Sequence, residues 1–452
     1  MRILLTVALL SGLTLLAACE DTFLVPDLNN PGLESLESNP TRSAVIDATQ
    51  GLLIGSRLAI DNQSGYVNHL GTLGREALTF DNSDPRYFNE MLAGTLNPGN
   101  GAFGGSAWDP RYANLRNANI VLNSLDAVGG LTAAELEGIR GFAKTIQALD
   151  LFLVLNTRDI NGIVIDTNQP LDADPAPFVG VATAQNAIVA LLGEASTHLA
   201  AAGATFAFQL PGYGGFDTPA TFDTFISALL ARLELYRGNF GAALTALTGS
   251  FLDMTGAFDL GPAYAYGTGS GDNRNGLFQG TDPQIVAHPT MWTDAPLKAD
   301  LTMDDRALAK LELLATPKSS AGVTSNVRFM HYSSLASPIP IIRNEELILI
   351  QAEALWFNGD PVMAMTYLNE VRTRSGGLVA LGMPVDDTAF IDALLVERRY
   401  SLMLEGHRWI DMRRFGRLGT LPLDRPGDMV PDRFPIPRDE CIAKELPVPC
   451  TV

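Results

Sequence analysis

Hydrophobic residues recur at helical spacing along most of the chain, and the clearest pattern lies within residues 343–415. Asn344 and two glutamates precede an apolar run to Phe357, which predicts a helix whose acidic first turn suits the positive end of the helix dipole. Residues 358–361, Asn-Gly-Asp-Pro, should end this helix and start another, because glycine suits a helix C-terminus, whereas aspartate and proline suit a helix start. The second helix should stop at the Ser-Gly-Gly sequence of residues 375–377.

Two short helices joined by a tight glycine turn form a hairpin, and the small side chains of Ala352 and Ala364 would let the helices approach closely. This pattern resembles a tetratricopeptide hairpin. The same arrangement recurs at residues 231–247, where Gly238 takes the place of Gly359. The two copies are separated by far more than one repeat of about 34 residues. The pattern therefore predicts a mostly α-helical fold, in which tetratricopeptide-like hairpins are interrupted by long loops.

Other segments divide into helical patterns and irregular stretches. A helix should start at Thr41, and helical spacing also covers residues 108–125, 133–155 and 183–199. By contrast, residues 61–106 are rich in Gly, Asn and Asp, and residues 252–337 show no helical spacing, so we expect both segments to be loop insertions. Loops of this length are usually either functional or disordered. The aromatic residues in these loops favour a functional role over disorder.

The first residues have the three zones of a secretory signal: Arg2, an apolar run at residues 3–16 and small residues before Cys19. The apolar run is too short to span a bilayer. Residues 16–19, Leu-Ala-Ala-Cys, fit the bacterial lipobox, in which the cysteine is acylated; a plain signal peptide is the alternative. The predicted organisation is a lipoprotein signal peptide (1–18), a lipidated tether (19–40) and one helical-repeat domain (41–452).

The remaining two cysteines, Cys441 and Cys450, lie close together near the C-terminus. With Cys19 taken as the lipidation site, they form the only possible pair. An oxidising compartment would let them form a disulfide that ties down the tail, and two free thiols are the alternative.

Composition narrows the possible partners. The chain has 452 residues with 46% hydrophobic content, enough for a large core. Its formal net charge of −19 argues against nucleic acid, because binding to a phosphate backbone requires a basic surface. Neutral ligands stay possible.

No catalytic or metal-binding motif is present in the sequence. The five histidines are dispersed, and the chain has no H-E-x-x-H, no G-x-S-x-G, no Walker loop and no two-cysteine zinc knuckle. Residues 81–84 and 272–276 are polar enough for calcium but lack EF-hand spacing, which favours turns. We therefore expect no enzyme activity, no metal and no cofactor.

One cluster of charged residues could support acid–base chemistry. Its acids and arginines have helical spacing, however, and such residues form ion pairs that fix helix packing. We expect this scaffold role rather than catalysis for Glu397, Arg398, Glu405, His407, Arg408 and Asp411.

The same cluster lies in a recognisable signature. Glu397-Arg398-Arg399, then residues 405–416 (Glu-Gly-His-Arg-Trp-Ile-Asp-Met-Arg-Arg-Phe-Gly) and residues 434–437 (Phe-Pro-Ile-Pro) resemble the C-terminal signature of the SusD/RagB outer-membrane lipoproteins. The resemblance extends over nearly the whole chain from Cys19 to Pro437. It implies a helical scaffold with nutrient-binding loops, anchored by lipid in the outer membrane and exposed on the cell surface. It also implies that the protein captures oligosaccharide or peptide for a TonB-dependent outer-membrane β-barrel transporter.

Aromatic residues in the predicted loops are the candidate ligand contacts, because a flat ring can stack on a sugar face. Trp292 lies in the irregular region, whereas Trp108, Trp356 and Trp409 lie in helical patterns and should pack in the core. The chain is short and poor in Trp for this family, so the aromatic platform of starch-binding members has no residue-by-residue match here. The predicted ligand-binding residues are Tyr66, Tyr87, Tyr264, Tyr266 and Trp292.

Two other functions fit the same patterns. A tetratricopeptide-type interaction scaffold of the cell envelope would bind a protein other than a transporter and no small ligand. A surface hydrolase would show turnover that a carboxylate substitution abolishes. Neither function has a motif of its own in the sequence.

Overall fold

The computed structural model describes residues 36, 39–99, 107–170 and 172–451. The predicted signal peptide, Cys19 and nearly all of the predicted tether lie outside these residues.

Helices dominate the described part of the chain, and the prediction of a mostly α-helical, tetratricopeptide-like fold is confirmed. The α-helices are α1 (Arg42–Arg57), α2 (Tyr66–Leu73), α3 (Asp109–Ser124), α4 (Ala133–Arg158), α5 (Val181–Ala201), α6 (Pro219–Tyr236), α7 (Phe240–Thr248), α8 (Thr290–Thr293), α9 (Asp305–Lys310), α10 (Asn344–Phe357), α11 (Pro361–Arg374), α12 (Asp387–Ser401), α13 (Arg408–Arg414) and α14 (Arg438–Ala443). Shorter helical turns are a π-helical segment at Tyr87–Leu92 and 3-10 turns at Asp159–Asn161 and Leu418–Thr420. Among the described helices, none combines the length and apolar character needed to cross a membrane.

Capping side chains mark the N-termini of several of these helices. The Thr41 hydroxyl accepts a hydrogen bond from the backbone N–H of Ala44, and Asp360 caps α11 in the same way. Thr132 and Glu135 form a reciprocal capping box at the start of α4. Each cap satisfies backbone N–H groups that would otherwise have no partner.

Neighbouring helices pack as antiparallel hairpins: α3 with α4, α4 with α5, α6 with α7, and α10 with α11. The two hairpins predicted from the repeated sequence pack against each other, because α7 contacts α10. At this contact the rings of Phe240 and Phe357 stack with centroids 5.0 Å apart. The repeated pattern therefore marks two adjacent layers of one scaffold.

Two small antiparallel sheets complete the fold. The strands are β1 (Ala77–Thr79), β2 (Ala263–Tyr264), β3 (Ile285–Ala287), β4 (Leu311–Ser320), β5 (Val323–Phe329) and β6 (Ile339–Pro340). The larger sheet has the order β1-β3-β5-β4, and β2 pairs with β6 in the smaller one. Thus strands from both predicted loop insertions share one sheet.

The prediction that residues 61–106 form loops rather than core helix is wrong for α2 and for the strand that follows it. All eight residues of α2 are buried, including the polar residues Asn68, His69 and Thr72, so this short helix lies in the core although its sequence is partly polar. Asn68 satisfies one such polar group by donating to the Thr79 hydroxyl over 2.8 Å. Buried polar residues of this kind hide a core helix from a search for apolar periodicity.

Residues 252–337 are likewise more regular than the sequence predicts. The β4–β5 hairpin turns at Ala321 and Gly322, which both have positive φ angles of 50° and 82°. Such a two-residue turn matches the twist of the flanking strands. Inward-facing residues of β5 alternate with more exposed ones, a period that a search for helical spacing misses.

The tryptophans expected in the core do pack there. Trp108 and Trp409 have 1% and 0% of their surfaces exposed. Trp356 is half-buried, and its ring stacks on Phe390 with centroids 4.1 Å apart. These residues are part of the scaffold.

The charged cluster around α12 and α13 forms ion pairs, as predicted, except at Arg408, whose hydrogen bond goes to the carbonyl oxygen of Gly74, and most of the partners lie on other elements. Arg398 pairs with Asp411 over 2.6 Å within the cluster. Glu405 pairs with Arg343 at the start of α10 over 3.0 Å. Glu397 pairs with Arg306 (2.7 Å) and with Arg372 (2.6 Å), and Asp411 also pairs with Arg414 (3.0 Å).

The two glutamates in the first turn of α10 extend this network. Glu346 pairs with Arg232 of α6 over 2.6 Å, and both side chains are almost fully buried. Burial by itself would raise the pKa of Glu345, but the Arg343 guanidinium outweighs it and holds the pKa at about 2. These acids are therefore ionised inside the protein and fix α10 to its neighbours.

Glu346→Gln should lower the free energy of unfolding by about 3–5 kcal/mol, because it leaves the Arg232 charge buried without its carboxylate. Chemical denaturation at pH 7 measures this loss. The double variant Arg232→Met/Glu346→Leu should recover much of it. Glu194→Gln is the control, because the Glu194–Lys144 pair is exposed and should contribute less than about 1 kcal/mol. An equal loss in both single variants would contradict a special role for the buried pair.

Glu76 gives a pH-dependent prediction. Burial raises the pKa of this carboxyl group from 4.5 to about 7. The folded state thus holds the proton more tightly than the unfolded chain, so wild-type stability falls as the pH rises from 4.5 to 7. The unfolding free energy of Glu76→Gln relative to that of wild type should therefore rise by about 3 kcal/mol between pH 4.5 and pH 8. Chemical denaturation of both proteins across this pH range measures the effect. A difference in unfolding free energy that stays the same at every pH would contradict the prediction.

Candidate functional site

The main candidate site is a cleft of about 410 Å³ between the second half of α1, a glycine-rich loop and the segment that begins with β2. Its floor consists of buried tyrosines, and its rim includes the exposed residues Ile54, Pro211 and Asp272. We call it the tyrosine cleft. It is lined by Gln50, Leu53, Ile54, Ser56, Arg57, Pro211, Tyr213, Ala263, Tyr264, Ala265, Tyr266 and Asp272.

Gly212 allows two walls of the cleft to meet. Its φ angle is +89°, and a Cβ atom added there would lie 2.1 Å from the carbonyl oxygen of Ala263. The backbone N–H of Ala263 donates to the carbonyl oxygen of Gly212 over 2.9 Å. Only glycine combines this backbone conformation with such a close approach.

Arg57, at the end of α1, contacts the segment of Ala265 and Tyr266 across the tyrosine cleft. Its guanidinium group donates to the carbonyl oxygen of Ala265 and lies 5.9 Å from the ring centroid of Tyr266. A cation over an aromatic face is attracted by the ring, more strongly where water is excluded. Arg57 therefore fixes both the backbone and a tyrosine ring of the cleft.

Several polar groups of the cleft have unused hydrogen-bonding capacity. Within the described part of the chain, the Tyr213 and Tyr266 hydroxyls and the Arg57 Nε are buried without a hydrogen-bond partner. Burial keeps the tyrosine hydroxyls protonated, since it raises the pKa of both. A buried polar group without a partner costs about 1–3 kcal/mol, so a polar ligand that completes these bonds would bind favourably.

The tyrosine cleft brings together two of the five predicted ligand-binding residues, Tyr264 and Tyr266. Tyr264 also lines a narrow cavity of about 40 Å³, which Tyr66 shares. Tyr87 lies elsewhere, buried in the π-helical segment, and Trp292 is half-buried on α8. The five predicted residues therefore do not form one site in the structure.

Sequence reasoning missed Arg57 and Tyr213 as site residues. Arg57 closes a helix, where a basic residue suits the negative end of the dipole and gives no sign of a site. Tyr213 lies among glycines, and this aromatic residue in a glycine-rich loop is the one signal that could have indicated it. Asp272 was predicted only as part of a turn.

A second, more open groove of about 520 Å³ lies along α3 and is lined by amide and hydroxyl side chains. Its amides largely bind one another: Asn123 and Asn168 exchange hydrogen bonds, and Asn119 donates to Thr167. It therefore offers fewer free donors to a ligand than its composition suggests.

The C-terminal cysteines are joined in the structure. A disulfide bond links Cys441 and Cys450, which are buried beside Ile436 and Phe178. The bond holds the tail against the body of the protein.

No cluster of three or more potential metal ligands occurs among the residues that the structure covers.

These features define a class of protein: a tetratricopeptide-like helical scaffold whose connecting segments enclose a cleft. The family model described as the SusD family matches residues 326–442, which include the signature at residues 397–416. No curated protein matches the chain. The resemblance to the SusD/RagB family is thus confirmed by the family model over residues 326–442.

Solved structures show the same fold over most of the chain. A SusD superfamily protein from Bacteroides thetaiotaomicron VPI-5482 is 18% identical with a TM-score of 0.67, covering 89% of this chain and 98% of that one. A laminarin-binding SusD-like protein is 18% identical with a TM-score of 0.62, covering 90% and 98%. NanU of B. fragilis is 14% identical with a TM-score of 0.66, covering 90% and 96%.

Three glycines of one loop allow a test of how the tyrosine cleft is built. Gly212→Ala should lower the free energy of unfolding by more than about 2 kcal/mol, because it combines an unfavourable positive φ angle with a backbone clash. Gly215→Ala meets no atom within 4 Å but has a φ angle of +81°, so it should cost about 1 kcal/mol. Gly214→Ala has neither problem and should be nearly neutral. Thermal denaturation of the three variants measures the order, and equal losses would contradict the close approach at Gly212.

Proposed function

We propose that this protein is a lipid-anchored, cell-surface binding protein of a nutrient-uptake system, and that it captures a glycan in the tyrosine cleft. The observation that carries the proposal is the composition of that cleft. Tyrosine rings, a guanidinium group, an amide and one carboxylate converge on a volume that suits a small ligand.

The chemistry of the cleft fits a sugar better than a purely apolar ligand. Sugars present C–H faces that pack on aromatic rings and hydroxyl groups that need hydrogen-bond partners. The cleft offers the rings of Tyr264 and Tyr266 for packing. Gln50, Arg57 and Asp272 supply amide, guanidinium and carboxylate groups for hydroxyls.

The cleft also favours binding over hydrolysis. Glycoside hydrolysis uses two carboxylates on opposite sides of the scissile bond. Asp272 is the only acidic residue that lines the tyrosine cleft in the described part of the chain. A ligand held there would be bound without a second acid to cleave it.

Structural relatives support a glycan rather than a peptide. One protein of the same fold is described as laminarin-binding, and another, from Bacteroides vulgatus ATCC 8482, as a SusD-like carbohydrate-binding protein. We extend that ligand class to this chain as a proposal.

Acylation of Cys19 would supply the anchor, and a TonB-dependent outer-membrane β-barrel transporter would receive the ligand. A tagged pull-down from detergent-solubilised outer membrane of the native host tests this part. Recovery of such a transporter in comparable amount supports the uptake function. Recovery of soluble envelope proteins alone would favour an interaction scaffold instead.

Substitutions that keep the fold test the ligand site. Asp272→Ala removes an exposed acceptor and should weaken glycan binding by at least about tenfold, whereas Tyr266→Phe removes one hydroxyl and should weaken it by about 2- to 10-fold. Calorimetric titration with laminarin oligosaccharides, and with other glycans and peptides if these fail, measures both effects.

Two further variants separate the possible outcomes. Asp282→Ala is the control for Asp272→Ala, because its side chain is 90% exposed and lies outside the cleft. Trp292→Ala tests the remaining predicted contact. If it alone abolishes binding while both cleft variants bind normally, the ligand site is at α8 and the tyrosine cleft is not the site.

A further inference from the structure

A second pocket, of about 320 Å³, lies on the outer side of α12 and α13 and shares no lining residue with the tyrosine cleft. Three arginines converge on it although the chain is strongly acidic. We call it the arginine pocket. It is lined by Asp392, Leu395, Val396, Arg399, Arg408, Met412, Arg417 and Thr420.

Arg408 is the central cation of the arginine pocket. Its Nε donates to the carbonyl oxygen of Gly74 over 3.2 Å, which fixes the direction of the side chain. Among the described residues, no carboxylate lies within 4.0 Å of it, and its two terminal nitrogens have no hydrogen-bond partner. A planar fork of N–H donors is thus held in place without an acceptor.

Several fully buried arginines of this protein differ from Arg408, which is half-buried. Arg111, Arg232 and Arg398 each have a carboxylate oxygen within 2.7 Å. This pattern is expected, because a buried cation without a partner is costly. Burial, together with the positive charge of Arg399, lowers the pKa of Arg408 to about 10. The buried acids Glu76 and Asp411 oppose this lowering of the pKa, but neither lines the arginine pocket or forms an ion pair with Arg408.

The two flanking arginines are only weakly neutralised. Arg399 contacts Asp294 over 3.1 Å, and Arg417 contacts Asp392 over 3.3 Å. Both acids are at least half exposed, and exposed pairs of this kind contribute little. Arg417 therefore keeps a donor for a stronger acceptor, since its Nε has no partner, whereas each nitrogen of Arg399 already has one and this residue contributes mainly its charge.

We propose that the arginine pocket binds a small ligand through an oxyanion group, with Arg408 donating to it in the bidentate manner that guanidinium groups adopt with carboxylates. Arg399 and Arg417 flank the anion and add charge. Leu395 and Met412 form an apolar wall beside the arginines, which suits the carbon skeleton of a sugar acid. The ligand class is thus a carboxylate- or sulfate-bearing small molecule.

Calorimetric titration of the mature protein with three probes at constant ionic strength tests the proposal. Glucuronate should bind, glucose should not, and inorganic sulfate should compete with glucuronate. Arg408→Gln should weaken glucuronate binding at least tenfold. Arg408→Lys should recover only part of the loss, because lysine keeps the charge but not the planar fork.

Control variants keep the result interpretable. Arg433→Gln removes a partly exposed arginine outside the arginine pocket whose ion pair within the described part of the chain is with Asp432, so glucuronate affinity should not change. Arg417→Gln removes a less buried member of the arginine pocket and should weaken binding about threefold or more even if Arg408→Gln fails to fold. Asp272→Ala should leave glucuronate affinity unchanged, which separates this site from the tyrosine cleft. Equal affinity for glucose and glucuronate, or binding of sulfate alone, would overturn the proposal.

Discussion

The fold depends on carboxylates that stay ionised inside the protein. Glu345 and Glu346 in the first turn of α10 bind arginines from α6 and from the segment before α10, and Glu405 joins the same group. Removing these charges from water is costly, so the pairs hold only when both partners are in place. They therefore select one arrangement of the hairpins, and the hydrophobic core alone would tolerate others.

Helical spacing and capping residues were sufficient to predict the scaffold. Thr41, Asp360 and the repeated glycine turns mark its helices because they act locally, through backbone hydrogen bonds and permitted φ angles. Helix α2 and the β4–β5 hairpin could not be found in this way. Their side chains are satisfied by partners distant in sequence, as in the Asn68–Thr79 hydrogen bond, and no local pattern records such partners.

In the candidate site, too, some residues could be predicted from local sequence and others could not. Tyr264 and Tyr266 stood out as aromatic residues in an irregular region, and both line the tyrosine cleft. Arg57 and Tyr213 reach it from separate segments, joined by the close approach of Gly212 to Ala263. Whether residues from three segments share a cleft is decided by tertiary packing, so sequence could identify some members but not the assembly.

The pairing of arginines inside the protein also shapes its exterior. Where a buried arginine such as Arg232 is matched by a buried carboxylate, the pair contributes nothing to the net charge, so the surplus of −19 resides mainly on exposed acids. Each molecule then carries a diffuse layer of cations, about 8 Å thick at physiological ionic strength. Copies crowded together would repel one another at short range, a colloidal property that keeps such molecules dispersed.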